Sequence, residues 1–504
     1  KIGWGASHSK YSWLPKDWDE YYQILMNNEI AYRRAVELNL EFHQGVCLIM
    51  KSFLFGMITD FWGDAPYTNA LKGEKSEKEL EFPDFDSQEL IYKGIIADLD
   101  IAASLLSKSG SANSDMGDAD VFFKGDPIKW MKFANSLALR YYMRLSEKLP
   151  AFAEAGVREM LKRPLIGSVD EEVAMNYIVT DNWEDSWPHN TLFDPTNTAF
   201  PRYRPCATLV SKLLELNDPR IHVWFAPVKI STKIVPSSEI RYNDWYEYQF
   251  DNNSRWCNSP LCTGIRYFNE DSMILSNRIR IFNLATYKQD ILDGYELIDT
   301  NSVYVGVPMS CSIGDGSMYN YNTIGSIFFN LHISLLNDIF KEPAGDLLKA
   351  RVLSFAEVCF LKAEAALKGW GLNAEENYNT GIKASLETWG IEEEYDSYIT
   401  NEGVVFNGTL EQIMEQKWIA SFTAASEAWF DWRRTGLPDL QTGPYPKRDR
   451  IPLRFYYGRM EKELNTENYK KALSNLEETY YTATDGPDSA WSKMWVLQGT
   501  GKPW

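Results

Sequence analysis

From residue 18 to residue 149 the chain repeats one pattern: apolar side chains recur every three or four positions for about twenty residues, then stop at a Gly, Pro, Asp or Ser. WDEYYQILMNNEIAYRRAVEL (18 to 38), FHQGVCLIMKSFLFGMITDFW (42 to 62), SQELIYKGIIADLDIAASLL (87 to 106) and PIKWMKFANSLALRYYMRLSEKL (127 to 149) all carry it. Such spacing lays an apolar stripe along one face of an α-helix, and a stripe of that width has to be buried against a neighbour. Asp17 or Asp126 as N-cap, Asp86 or Ser87 before the third stretch, and Gly63 with Pro66 after the second supply starts and stops. Short loops between long helices imply helical hairpins of the tetratricopeptide kind, although the interval is not the regular one of roughly 34 residues.

Helical spacing returns in LSFAEVCFLKAEAALKGW (353 to 370), ending at Gly369 or Gly371, and runs on through NAEENYNTGIKASLETWG and TLEQIMEQKWIASFTAASEAWFDWRRTG. Between the two blocks, residues 168–330 are rich in Gly, Asn, Asp, Pro and aromatics. They read as loops and short strands, with one helix at ATLVSKLLELN (207 to 217). The expectation is a mainly α protein of one domain, 1–504. It comprises an N-terminal helical scaffold (17–165), a loop-rich, partly β ligand-presenting segment (168–330), a C-terminal helical scaffold (331–440) and an irregular end (441–504) with one short helix near NTENYKKALSNL.

A net charge of −19, with acidic residues dispersed along the chain, argues against a nucleic-acid partner, which needs a concentrated basic face. No GxSxG, GxxxxGK[ST], HExxH or post-strand GxGxxG is present, so no catalytic residue and no cofactor is expected. Histidine occurs only at 8, 43, 189, 222 and 332, none at ligand spacing, so no metal is expected; DMGDAD (115 to 120) offers oxygens without the calcium-loop spacing. Cys47 and Cys359 sit in apolar helical patterns and read as buried small hydrophobes, while the pairing of Cys257 and Cys262 stays open. The longest apolar run, CLIMKSFLFGMI, is broken by Lys51 and is too short to span a bilayer. KIGWGASHSK reads as the inside of a mature chain, from which targeting information has been trimmed.

EAWFDWRRTGLP (427 to 438) reads as a helix end. Asp431 and Arg434 stand three apart and Trp429 and Arg433 four apart, spacings that allow an ion pair and a cation–π contact, and Gly436 and Pro438 stop the helix. Taken with DFWGDAPYTNAL (60 to 71), DPIKWMKFANSLALRYYMRLSE (126 to 147), LSFAEVCFLKAEAALKGW, YVGVPMS (304 to 310), IPLRFYY (451 to 457) with Glu461 and Asn465, and the closing WSKMW, it resembles the SusD/RagB family of nutrient-binding outer-membrane lipoproteins. The motifs keep their order over nearly the whole chain. The resemblance implies a tetratricopeptide-like helical scaffold and a protein lipid-anchored at the outer-membrane surface of a Gram-negative bacterium. It also implies a SusC-like TonB-dependent transporter as partner, to which oligosaccharides, or peptides in the RagB branch, are handed; the anchoring cysteine is absent from this chain. A purely structural subunit of the transporter complex is the alternative from a different class.

Aromatic residues make up 14% of the chain, with 18 Trp and 28 Tyr, and an aromatic face can stack on a sugar ring. Ligand contacts are therefore expected among loop aromatics with polar neighbours: Trp183 and Trp187, then Tyr242 and Trp245, Trp256, and Tyr319 and Tyr321. Asn182, Asp185 and Asp244, with Asn243 and Asn320, are the expected partners of sugar hydroxyls, and His189 in SWPHN stands among the same aromatics.

Overall fold

The computed structural model describes residues 17–75, 81–108, 116–179, 182–194, 199–229, 231–235, 245–246, 266–269, 278–283, 299–309, 332–443 and 448–504. The chain divides into two compact units. A helical unit holds the described residues through Asn176 together with Lys349–Leu440 and Ile451–Trp504; a loop-rich unit holds Tyr177–Leu348 and Gln441–Arg450. In chain order the longer helices are α1 (Asp19–Glu37), α2 (Glu41–Trp62), α3 (Gln88–Lys108), α4 (Pro127–Arg144), α5 (Pro150–Met160), α6 (Ala207–Glu215), α7 (Phe355–Leu367), α8 (Ala374–Thr388), α9 (Leu410–Ala420), α10 (Ala425–Thr435) and α11 (Thr466–Ser474).

In the helical unit each helix packs on its successor, α1 on α2, α2 on α3, α3 on α4 and α4 on α5, and then α7 on both α8 and α9. Asp126 caps α4 as its position suggests, accepting from Ile128 N and Lys129 N; α1 starts with Trp18, not Asp17, at the capping position. Gly63 ends α2 at φ +96, a conformation that costs glycine least. By length and composition α2 can cross a membrane, but 67% of its most apolar window lies inside the fold, as befits a central core helix. At Gly56 a Cβ would meet the Tyr141 hydroxyl at 1.9 Å, so the missing side chain is what lets α4 lie this close to α2. Much of the aromatic excess is spent here: Trp18 meets Tyr22, Trp62, Phe85 and Tyr457 edge to face, at 5.3–5.7 Å.

Threaded through this core is a chain of buried charges. Arg140 donates to both Glu357 oxygens at 2.7 Å, and Arg144 reaches Glu427 at 2.5 Å and Asp60 at 3.3 Å. Arg434 joins Glu364 and Asp431, and Lys417 closes on Asp431 at 2.7 Å. Burial alone raises the Asp431 carboxyl, but Lys417, Arg434 and Arg144 outweigh it and hold it well below the usual carboxylate range. For Asp60 burial wins over Arg144 and Arg433, and its carboxyl is raised. Buried pairs of this kind add little over an apolar core, yet removing one partner strands the other, at about 3–5 kcal/mol.

Strands are few and short. β1 (Val173–Asn176) pairs antiparallel with a distant strand, Lys349–Leu353, inside the helical unit. The loop-rich unit contains β2 (Phe225–Ala226), β3 (Ser231–Val235), β4 (Trp245–Tyr246), β5 (Arg266–Asn269), β6 (Arg278–Asn283) and β7 (Leu335–Leu336). Its main sheet runs β3-β6-β5-β4, with β3 parallel to β6 and the other pairs antiparallel, while β2 pairs with β7.

Candidate ligand-binding loop

The best-defined candidate surface lies in the loop-rich unit, where the described residues 177–179 and 182–194 are held mainly by their backbone. Trp187 N donates to the Pro343 carbonyl at 2.7 Å and Thr191 N to the Lys341 carbonyl at 2.9 Å, which ties the loop to the 3-10 turn Asp338–Lys341 and its exit. Ile178 N donates to the Asp185 carbonyl at 2.9 Å and joins the two described stretches of the outer end. Trp183–Asp185 form one 3-10 turn there, started by the Asn182 side chain accepting from Glu184 N at 3.1 Å.

The two tryptophans of this loop divide the work. Trp183 is 61% exposed and its flanks Asn182, Glu184 and Asp185 are exposed with it, so an apolar face stands beside amide and carboxylate oxygens. Trp187 is only 9% exposed, its ring enclosed by Tyr177 at 5.5 Å, His189 at 5.7 Å and Phe340 at 5.8 Å. It therefore offers no face for stacking and instead pins the loop. His189 lies in turn against Tyr203, ring centroids 3.8 Å apart. Exposed Ile178, Val179, Leu192 and Phe193 extend the apolar surface of the same loop. Sequence reasoning passed over these four, although consecutive apolar residues amid Asn, Asp and Thr carry the signal. Next along the chain, burial pushes the Arg204 guanidinium down to about 10 while it donates to the carbonyls of Pro201, Ile333 and Ser334.

Trp245 lies in β4, its backbone opposite Phe268. Tyr242, Asn243, Asp244, Trp256, Tyr319, Asn320 and Tyr321 lie outside the described residues, as do Cys257 and Cys262. In DMGDAD, Asp120 is taken up structurally: its carboxylate accepts from Phe122 N, Phe123 N, Gly125 N and the Trp130 indole. Among the described residues no group of three or more His, Cys, Asp or Glu is arranged to hold a metal. Cys47 and Cys359 are buried, and burial pushes their thiols up to about 11 and about 12.

The family model for SusD-like proteins, described as "Starch-binding associating with outer membrane", matches residues 7–255 and 287–458. The chain belongs to the SusD-like family. Among curated proteins none matches this chain. A solved SusD homologue from Bacteroides fragilis is 20% identical, with TM-score 0.68 over 96% of this chain and 90% of that one. A second homologue from the same species is 21% identical, with TM-score 0.67 over 98% and 92%. A chitin-binding SusD homologue from Flavobacterium johnsoniae is 21% identical, with TM-score 0.63 over 96% and 86%. These likenesses establish a SusD-like fold.

Within that fold the motif EAWFDWRRTGLP is scaffold. Arg433 sits 4.4 Å from the Trp429 ring centroid, Arg434 bonds Asp431 at 3.0 Å, and Gly436 takes φ +75 at the helix end, all as the spacing predicts. Both arginines are buried, Arg433 donating to the carbonyls of Asp60 and Leu453. Neither is available as an anion grip.

Proposed function

We propose that this SusD-like protein is a non-catalytic glycan receptor of the outer-membrane surface, held there by an N-terminal lipid anchor, and that it passes captured oligosaccharides to a SusC-like TonB-dependent transporter. The observation that carries the reading is the exposed ring of Trp183, set on a backbone-tied loop between Asn182 and Asp185. A rigid aromatic face with adjacent acceptors suits a pyranose ring, whose C–H face stacks while its hydroxyls donate. The starch-binding description of the family and the chitin-binding homologue support this ligand class. In this reading Trp183, Asn182 and Asp185 make the first contacts, Trp187 holds the loop in place, and Tyr242, Trp245, Asp244, Trp256, Tyr319 and Tyr321 extend the surface.

Exposed Glu184 and Asp185 beside the tryptophan favour one second reading, capture of basic peptides. Titration calorimetry with maltoheptaose, chitohexaose and an oligolysine peptide separates the two. The glycan reading expects binding of at least one oligosaccharide and its weakening by about tenfold in Trp183→Ala; binding of the peptide alone replaces it with the second.

A further inference from the structure

The helical unit carries an open cavity of about 620 Å³ that the loop site does not use. One wall is the first turns of α8 and the other is Tyr395, which follows the 3-10 turn Glu392–Glu394 packed on α8. Every side chain of its lining carries a hydrogen-bonding group, and one carries an aromatic face. Asn379 Oδ1 is shielded from solvent and has no hydrogen-bond partner, an acceptor left for something that enters the cavity. The Thr380 hydroxyl donates to the Glu376 carbonyl at 2.7 Å, which leaves its oxygen to accept. Asn373, in the left-handed region at φ +59, donates to Glu376 at 2.8 Å and fixes that carboxylate at the cavity mouth. Lys383 Nζ lies 5.6 Å from the Tyr395 ring centroid, so the ring is oriented by a cation from α8.

We propose that this cavity is a second carbohydrate site, which takes one neutral pyranose unit with its C–H face on the side of Tyr395 that Lys383 does not cover and its hydroxyls on Asn379, Thr380 and Glu376. The chemistry excludes other occupants. A lipid tail or apolar peptide side chain would leave Asn379 Oδ1 without a partner, at about 1–3 kcal/mol. An acidic sugar would meet two carboxylates, Glu375 and Glu376, against the single cation Lys383.

The proposal does not depend on the loop site, and the experiment keeps them apart. Saturation-transfer NMR is run on the full chain with millimolar maltoheptaose, chitohexaose and trigalacturonate. In Trp183→Ala, transfer to at least one neutral oligosaccharide persists, and adding Tyr395→Ala lowers it by about fivefold or more. In the same Trp183→Ala background trigalacturonate shows no transfer until Glu375→Arg is introduced at an exposed position of α8. Absence of transfer to both neutral probes in Trp183→Ala overturns the proposal, as does transfer that Tyr395→Ala leaves unchanged or early binding of trigalacturonate. Equal transfer with and without Trp183 instead overturns the loop site and leaves this one standing.

Discussion

Trp429 and Trp183 are the same side chain put to opposite uses. In the helical unit Trp429 is closed in: Arg433 covers its ring at 4.4 Å, Phe430 and Phe455 flank it, and its indole N–H donates to the Pro452 carbonyl. In the loop-rich unit Trp183 faces solvent, on a loop whose own backbone bonds hold its shape. The residues that mark the family are those whose partners lie within the protein. Trp183, the residue proposed to meet a ligand first, instead turns its ring to solvent.

This contrast can be broken most forcefully at Arg434. Arg434→Ala strands Glu364 in the core, while Asp431 keeps Lys417, and should cost about 3–5 kcal/mol in urea unfolding. A variant of unchanged stability that has lost its oligosaccharide would put the family motif in the binding site after all. Trp187→Ala should cost roughly 3 kcal/mol or more, because it empties the space among Tyr177, His189 and Phe340. Hydrogen exchange should show the lost protection concentrated at the Trp187 and Thr191 amides. Trp183→Ala should move stability by no more than about 0.5 kcal/mol while weakening oligosaccharide binding about tenfold in calorimetry. A matching loss of stability would make Trp183 another pin.

The smallest effects concern pH and thiol chemistry. The depressed carboxyls of Asp431 and Glu427 contribute stability that is complete above the ordinary carboxylate pKa near 4 and drains away as pH falls through their folded values. Asp60, raised by burial, acts with the opposite sign. Asp431→Asn should therefore be well below the parent in urea midpoint at pH 7, with the gap narrowing below about pH 4. Cys47 and Cys359, pushed up to about 11 and about 12, should resist a thiol reagent at pH 8 until urea is added, as peptide mapping by mass spectrometry can show.

Helices were legible because their information is local. Asp126, Gly63 and Gly436 each act within a turn or so of themselves, and the predicted spans match α1 to α4 within a few residues, except that the fourth ends at Arg144. The reading failed where distant residues decide. TLEQIMEQKWIASFTAASEAWFDWRRTG looks continuous but is two helices: Ser421 bonds back to the Lys417 carbonyl, and Phe422 turns away to meet Trp389. The pairing of β1 with Lys349–Leu353 spans more than 170 residues and leaves no local trace. The candidate site shows the same limit: Trp183 and Trp187 are indistinguishable in NWEDSWPHN, because Phe340 and the Pro343 carbonyl, some 150 positions away, bury one and leave the other exposed.

The way that loop is fastened has a consequence for how its specificity can change. Its ties to the 3-10 turn run from Trp187 N and Thr191 N to the carbonyls of Pro343 and Lys341, and its outer tie runs from Ile178 N to the Asp185 carbonyl. Such bonds are indifferent to side-chain identity, so Ile178, Val179 and residues 182–185 form a replaceable cartridge in the proposed site: their exposed side chains can be exchanged by drift or by design while the socket that receives them stays as it is.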